Sequence, residues 1–146
     1  MNKRRHIITT LGIVLIVMAG VAALRAAKRH VEAVNCSNQM HSILCAASLL
    51  WPDEHDGHLP SDFVSMSNEL ATTKILICPA DHARRPAASW PSFSSEHCSY
   101  EMVTPGLRKA DTNTVFLRCR IHGYTGYPDD RLLDASGRLI KPQRFW

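Results

Sequence analysis

The sequence lacks the short motifs by which the common enzyme classes are recognised. It contains no HExxH metalloprotease motif, no GxSxG nucleophile elbow and no glycine-rich phosphate loop. Cys78 or Cys119 with His122 would offer a thiol and a base, but a cysteine followed by proline at a strand end is more typical of a disulfide partner. We therefore expect no catalytic residues, no bound cofactor and no enzymatic activity.

Acidic residues are absent before Glu32, whereas six Lys or Arg side chains lie in residues 1–30. The whole chain has 17 basic and 13 acidic residues, so setting those six aside leaves 11 basic against 13 acidic residues. The net positive charge therefore comes from the N-terminal end. No basic surface of the kind that binds nucleic acid is indicated, and we expect no nucleic-acid partner.

What the N-terminal end does contain is one long apolar run. Residues 7–24 (IITTLGIVLIVMAGVAAL) carry no charge, and ten of these 18 residues are Leu, Ile or Val. As a helix the run would be about 27 Å long, close to the ~30 Å hydrocarbon core of a bilayer. The sequence thus predicts a cytoplasmic tail over residues 1–6, a transmembrane helix over residues 7–24 and an extracytoplasmic head over residues 25–146, with membrane lipid as a partner.

Two other interpretations of the apolar run stay open. Lys3, Arg4 and Arg5 precede the run, and Gly20 to Ala22 are small residues before a cut, so a cleaved signal peptide also fits. A buried core helix is the third interpretation, although the remaining chain would have to surround it. Three basic residues flank the run on each side, so only the short N-terminal tail favours an N-in, C-out topology.

The helix is predicted to continue beyond the membrane as an amphipathic extension over residues 25–51. Apolar residues recur there at spacings of three and four, and Pro52 ends the pattern. One face of this extension should pack on a sheet. That face comprises Cys36, Met40, Ile43, Leu44, Ala47 and Trp51.

After Pro52 the pattern changes to short elements separated by Pro, Gly and Ser. The expected elements are a turn over residues 53–57, a helix over residues 61–70 capped by Ser61, a strand over residues 74–78, a loop over residues 80–96, strands over residues 98–103 and 114–119, and a hairpin of residues 131–135 and 138–141. One long N-terminal helix packed on a small antiparallel sheet predicts an α+β fold.

Five cysteines are present, at positions 36, 45, 78, 98 and 119. They fit an oxidising compartment, where one or two disulfides would support a small core. The odd count leaves at least one cysteine unpaired within a monomer. No metal site is expected, because there is no CxxC pair and the spacing of Cys119 and His122 does not by itself define a ligand set.

Five short segments occur in an order and spacing that resemble a known family. They are residues 35–39 (NCSNQ), 55–60 (HDGHLP), 74–81 (KILICPAD), 99–100 (SY) and 119–123 (CRIHG). Together they resemble the pseudopilin-like chains similar to type II secretion system protein G, within the type IV pilin-like proteins. The resemblance covers nearly the whole chain. It implies a long N-terminal helix in the inner membrane, an α+β head on the periplasmic side, other pilin-like subunits as partners through that helix, and no catalysis.

The apolar run departs from the prepilin pattern at one informative position. Prepilins carry G-[FM]-x-x-x-E, with cleavage after the glycine and the glutamate inside the apolar helix. Here Gly12 is followed by IVLIV, so Val17 stands where the pattern has the glutamate. The prepilin signal is therefore degenerate, and neither peptidase processing nor polymerisation through that glutamate is supported by the sequence.

The resemblance also bears on cysteine pairing. Cys78 and Cys119 both fall in matching segments and at the ends of predicted strands, which favours a disulfide between them. Such a bond would close a loop of about 40 residues and contribute roughly 3–4 kcal/mol. Cys36 is the chief competitor for either partner, and buried unpaired thiols are the alternative to any bond.

These observations predict a non-enzymatic, single-pass membrane protein with a structural or assembly role in a type II secretion or pilus-like system. The alternative is an exported soluble binding module with a disulfide-stapled head, released by signal-peptide cleavage.

The first prediction concerns the membrane anchor. Replacing Val14 and Ile16 by Arg should cost several kcal/mol of insertion free energy, because each charge would lie near the bilayer centre. The double variant should leave the membrane fraction in a carbonate wash. Retention of the variant with the membranes would show that the anchor interpretation is wrong.

Overall fold

The structure is a computed structural model that describes residues 2–141, with side chains described from Leu11 onward. The fold is α+β, as the sequence predicts, with a long N-terminal helix and a four-stranded antiparallel sheet. The regular elements are helix α1 (Asn2–Cys45), helix α2 (Ser67–Leu70) and strands β1 (Tyr100–Met102), β2 (Leu117–Cys119), β3 (Thr125–Gly126) and β4 (Leu132–Leu133). The chain divides into two compact units, Met1–Val31 and Glu32–Trp146.

The first unit is the N-terminal part of helix α1, and its apolar side chains are exposed on every face that is described. Ile16 and Leu24 are each 73% exposed, and a Cβ added at Gly12 or Gly20 would meet no other atom within 4 Å. By length and composition this helix is apolar enough to cross a membrane. A helix that is apolar all round requires an apolar surrounding.

The second unit, which we call the head, begins with the amphipathic part of α1. The predicted face of this segment is buried from Cys36 to Ala47, with Leu44 only 1% exposed, and Trp51 packs partly buried against the same core. Leu44 lies against β3, where a Cβ added to Gly126 would approach its Cδ1 atom to 2.7 Å. Glycine at position 126 therefore allows the close approach of helix and sheet.

Helix α1 ends earlier than predicted, because the last turn widens. Ala46–Leu50 is a π-helical turn, and Pro52–Glu54 is a 3-10 turn. The Ser48 hydroxyl lies within hydrogen-bond distance of both the Leu44 carbonyl and Asp130 Oδ1, the latter at 2.8 Å. Pro52 cannot donate a backbone hydrogen bond, so the π-helical turn does not continue past it.

The sheet is a simple meander in the order β1-β2-β3-β4, with every neighbouring pair antiparallel. In its register Tyr100 pairs with Cys119. Side chains alternate along β2, where Leu117 and Cys119 are buried and Arg118 is exposed. The two strands predicted over residues 98–103 and 114–119 are confirmed as β1 and β2, although each is only three residues long.

Two sequence predictions for the region before the sheet are wrong. The apolar run over residues 74–78 is not a strand: Thr73–Leu76 is a 3-10 helix, because the Thr72 side chain caps it by accepting from the Lys74 backbone N–H. The helix predicted over residues 61–70 is limited to α2, because residues 61–66 form turns and Ser61 is not its N-cap.

The C-terminal hairpin has the predicted turn but less regular strand than expected. β4 is followed by an isolated bridge between Leu133 and Leu139, and the turn includes Gly137 at φ 80°. The Gly137 backbone N–H donates to the Asp134 carbonyl at 2.9 Å and so closes that turn. Strand β3 was not predicted from the sequence, because two residues are too few to show the alternation of apolar and polar side chains by which a strand is recognised.

The second prediction tests the packing of α1 on the sheet. Leu44→Asp should destabilise the head by about 3 kcal/mol or more, because it places a carboxylate in a dry apolar contact. The matched control is Leu49→Asp in the following turn. Leu49 is 52% exposed, so its replacement should change stability by roughly 0.5 kcal/mol or less.

Urea unfolding of the fragment 32–146, followed by circular dichroism, measures both changes. Equal midpoints for Leu44→Asp and Leu49→Asp would contradict the observed packing.

Candidate functional site

Four metal-ligating side chains from separate parts of the head meet in its interior. They are Cys36 on helix α1, Cys78 after the 3-10 helix, Cys119 at the end of β2 and His122 in the turn that follows. Their Sγ and ring nitrogen atoms all lie within 4.8 Å of one another. We call these four residues the Cys3His cluster.

Local structure fixes Cys78 beside the sheet. The Ser99 backbone N–H donates to the Leu76 carbonyl at 2.8 Å, which ties the end of the 3-10 helix to the start of β1. Cys78 follows in an extended segment, and the Asp81 N–H then donates to the Cys78 carbonyl at 2.8 Å. The chain therefore turns sharply after Pro79 and leaves the Cys78 side chain fully buried.

A second tight turn brings His122 back over Cys119. The Gly123 N–H donates to the Cys119 carbonyl at 2.9 Å, and the Cys119 N–H donates to the Tyr124 carbonyl at 2.9 Å. Gly123 has φ 68°, a left-handed conformation that favours glycine. The His122 ring stacks on Tyr124 with centroids 5.1 Å apart.

The distances within the Cys3His cluster are short for unbonded groups. Cys36 Sγ lies 3.5 Å from Cys119 Sγ, and His122 Nδ1 lies 3.4 Å from Cys78 Sγ and 3.8 Å from Cys119 Sγ. All three thiols are fully buried, and the imidazole is half-buried. The cluster is thus closed to bulk solvent on the thiol side.

Tyr100, on strand β1, also borders the Cys3His cluster. Its hydroxyl donates to Gln39 Oε1 at 2.8 Å and lies 3.6 Å from Cys36 Sγ. Burial raises the pKa of the Tyr100 phenol, so it stays a neutral donor. Gln39 and Tyr100 together hold Cys36 in its position.

The three thiols of the cluster shift one another's pKa values in opposite directions. Contacts with Cys36, Cys78 and His122 lower the pKa of the Cys119 thiol. The contact with Cys119 raises the pKa of Cys36 strongly and that of Cys78 to about 11.

The possible disulfide between Cys78 and Cys119 is not formed; all five cysteines are free thiols, and both of these are buried, which is the alternative that the sequence left open. The 3.5 Å between the Cys36 and Cys119 sulfurs also exceeds the ~2.05 Å of a disulfide. Cys78 and Cys119 do come together as the sequence suggests, but they do so with Cys36 and His122 as neighbours. Three cysteines and one histidine are a ligand set of structural zinc sites.

The other two cysteines lie outside the cluster. Cys45 is exposed on α1, with Asp130 Oδ2 3.9 Å from its sulfur. Cys98 is buried, donates to the Tyr100 carbonyl at 3.2 Å, and has a pKa raised to about 11 by burial. Both serve as natural controls for experiments on the cluster.

The head also contains an open cavity of about 350 Å³, and none of the four cluster residues lines it. The residues that line it include Phe63, Phe93, Arg84 and Arg120. The thiols are therefore separated from the cavity in which a small substrate would fit.

Comparisons with protein-family models, with curated proteins and with solved structures found no match. The architecture itself, one long apolar N-terminal helix followed by a small antiparallel sheet, is a pilin-like arrangement.

The residues that follow Cys78 are held by a buried carboxylate, Asp81. It accepts from the backbone N–H groups of Ala83 and Arg84 at 3.2 Å, from the Arg84 guanidinium at 2.9 Å and from the Ser99 hydroxyl at 2.8 Å. Burial opposes ionisation, but these donors outweigh it and lower the pKa of Asp81. A depressed pKa contributes stability above the unfolded value of about 3.9, and this stability is lost as pH falls below it.

The third prediction follows from Asp81. Asp81→Asn should lower stability at pH 7 by roughly 1.5–3 kcal/mol, because charge-assisted hydrogen bonds are lost. The difference from wild type should shrink when pH falls below about 4, because the carboxylate of the unfolded chain then binds a proton that the folded chain does not, and this favours the unfolded state of the wild-type protein.

Urea midpoints at pH 7 and pH 3 measure this effect. Asp56→Asn is the matched control, because Asp56 is exposed and its left-handed backbone (φ 51°) tolerates asparagine. A stability difference for Asp81→Asn that is independent of pH would contradict the assignment.

Proposed function

We propose that this protein is a non-enzymatic, single-pass membrane protein related to pseudopilins, with a structural or assembly role in a type II secretion or pilus-like system. The single observation that carries this proposal is the change along α1. From Leu11 to Leu24 the helix exposes its large apolar side chains, and from Cys36 it has a face buried in an α+β head. That arrangement is the pilin-like one.

The exposed apolar surface supports the membrane part of the proposal. Leu11, Leu15 and Met18 are each at least 60% exposed, as part of a surface of large apolar side chains that continues to Leu24. In water such a surface would drive aggregation, whereas lipid chains solvate it and the helix satisfies its own backbone hydrogen bonds.

The closed interior of the head supports a non-enzymatic role. A thiol nucleophile must reach its substrate, but the Cys78 and Cys119 side chains are fully buried and do not line the 350 Å³ cavity. The imidazole of His122 is engaged by the same thiols. We therefore propose that these side chains hold the head together and do not act on a substrate.

The proposed partners are membrane lipid and other pilin-like subunits, which would pack through the apolar part of α1. Val17 stands at the position where prepilins carry a glutamate, so this packing would depend on apolar contacts alone. We propose an inner-membrane location with the head on the periplasmic side and no contact with nucleic acid.

The alternative of an exported soluble module is favoured by one observation. The chain divides between Val31 and Glu32, so the head, which includes the amphipathic part of α1, is a compact unit distinct from the apolar part of that helix. A cut near Ala23 would release that unit with its core complete.

The fourth prediction tests location and topology through Cys45. This thiol is exposed, whereas the other four cysteines are buried, so a membrane-impermeant maleimide should label one site. Added to intact spheroplasts, the reagent should label the wild-type protein in the membrane fraction. Cys45→Ser should abolish the labelling, and Cys98→Ser should not change it.

N-terminal sequencing of the labelled protein distinguishes the alternatives. A start at Met1 supports the retained anchor, a start at Ile13 supports pilin-type processing, and a start at Ala23 supports release. Labelling that appears only after lysis would place the head in the cytoplasm and overturn the proposed topology.

A further inference from the structure

We infer that Cys36, Cys78, Cys119 and His122 form a structural zinc site that joins helix α1 to the sheet. The inference does not depend on the membrane role, because every ligand lies in the head. It concerns a function of the fold that the short sequence motifs do not indicate.

The geometry of the cluster matches the dimensions of tetrahedral zinc. With Zn–S bonds of about 2.3 Å and Zn–N bonds of about 2.0–2.1 Å, tetrahedral angles place sulfurs about 3.8 Å apart and a sulfur about 3.6 Å from the nitrogen. The observed Sγ–Sγ distance is 3.5 Å for Cys36 and Cys119, and the two Sγ–Nδ1 distances are 3.4 and 3.8 Å. The other pairs of ligand atoms lie within 4.8 Å of one another, so they have to approach by about 1 Å at most to reach the expected distances.

The chemistry of the four ligands indicates which metal ion the site would bind. Three thiolates and one imidazole suit zinc, whereas calcium and magnesium require oxygen ligands. Four protein ligands complete a tetrahedral shell and leave no open position for water or substrate. A closed and buried shell of this kind is typical of structural zinc sites.

Groups outside the shell hold the ligands in place. The Asp81 N–H donates to the Cys78 carbonyl at 2.8 Å, and the Gly123 N–H donates to the Cys119 carbonyl at 2.9 Å, so both cysteines lie in closed turns. The Tyr100 hydroxyl lies 3.6 Å from the Cys36 sulfur. Such contacts orient the ligands of a metal site.

The positions of the ligands explain what the metal would do for the fold. Cys36 and Cys119 lie 83 residues apart in the chain, and Cys78 and His122 lie 44 residues apart. One ion would therefore connect α1, the segment after the 3-10 helix and the end of β2. Strands of two or three residues give the head little regular structure of its own, so metal binding and folding should be coupled.

The fifth prediction is measured on the full-length protein, purified from membranes in mild detergent with a reductant. Elemental analysis should find about one zinc per chain. Cobalt added to metal-free protein should give the visible absorption of a tetrahedral ion and the near-ultraviolet bands of thiolate ligation, and zinc should displace it.

Variants identify the ligands. Cys119→Ala and His122→Ala should retain less than about a tenth of a zinc per chain, because each leaves an incomplete shell. Cys45→Ala and Cys98→Ala should retain the full amount, since neither side chain belongs to the cluster. His122→Cys should restore binding as a four-cysteine site, which a loss caused by misfolding alone would not allow.

If the alanine variants fail to fold, measurements on the wild-type protein still test the inference. Removal of the metal by a chelator should lower its Tm, and zinc but not magnesium should restore the original value. A folded wild-type protein that contains no zinc and acquires none would overturn the inference. A disulfide between any two of the three cluster cysteines, in protein isolated without reductant after the free thiols are blocked at lysis, would also overturn it.

Discussion

The structure depends on the close packing of helix α1 against a sheet that is too small to form a core alone. Leu44 presses on β3 at Gly126, a contact that any side chain at position 126 would obstruct. Phe116 and Leu132 fill the same core from the sheet side. Because the strands are so short, the buried face of α1 supplies the continuous apolar surface on which they align. The head therefore requires the helix, and the helix enters the head only where its surface becomes amphipathic.

The parts of the fold that could be predicted from the sequence are those set by periodicity. The burial of Cys36, Met40 and Ile43 follows from spacings of three and four, and β1 and β2 follow from short apolar segments bounded by turn residues. The 3-10 helix at Thr73–Leu76 could not be predicted in this way. An apolar run of five residues fits a strand or a buried turn equally well, and a local contact, the cap provided by Thr72, decides between them.

The Cys3His cluster shows a different limit of sequence reasoning. Only Cys119 and His122 are close enough in sequence to suggest a shared site, and they are two ligands of four. Cys36 is contributed by a helix face on which a cysteine is also an ordinary apolar residue. Cys78 enters through a turn that depends on Asp81 and on contacts with Ser99. The four residues of the Cys3His cluster come together only after helix, turn and sheet have packed, so no local sequence pattern indicates the cluster.

The composition of the cluster argues for a metal over a disulfide as its means of cross-linking the head. A disulfide between two of the three thiols would leave the third thiol and the His122 imidazole unbonded. Yet His122 Nδ1 lies close to two of the sulfurs, 3.4 Å from Cys78 Sγ and 3.8 Å from Cys119 Sγ. A tetrahedral cation uses all four groups, and it supplies the positive charge that three buried thiolates need. The Tyr100 hydroxyl, which donates to Gln39, also lies 3.6 Å from the Cys36 sulfur and so places a polar group beside this site. The geometry of the cluster thus fits three sulfur ligands and one imidazole held around a single ion.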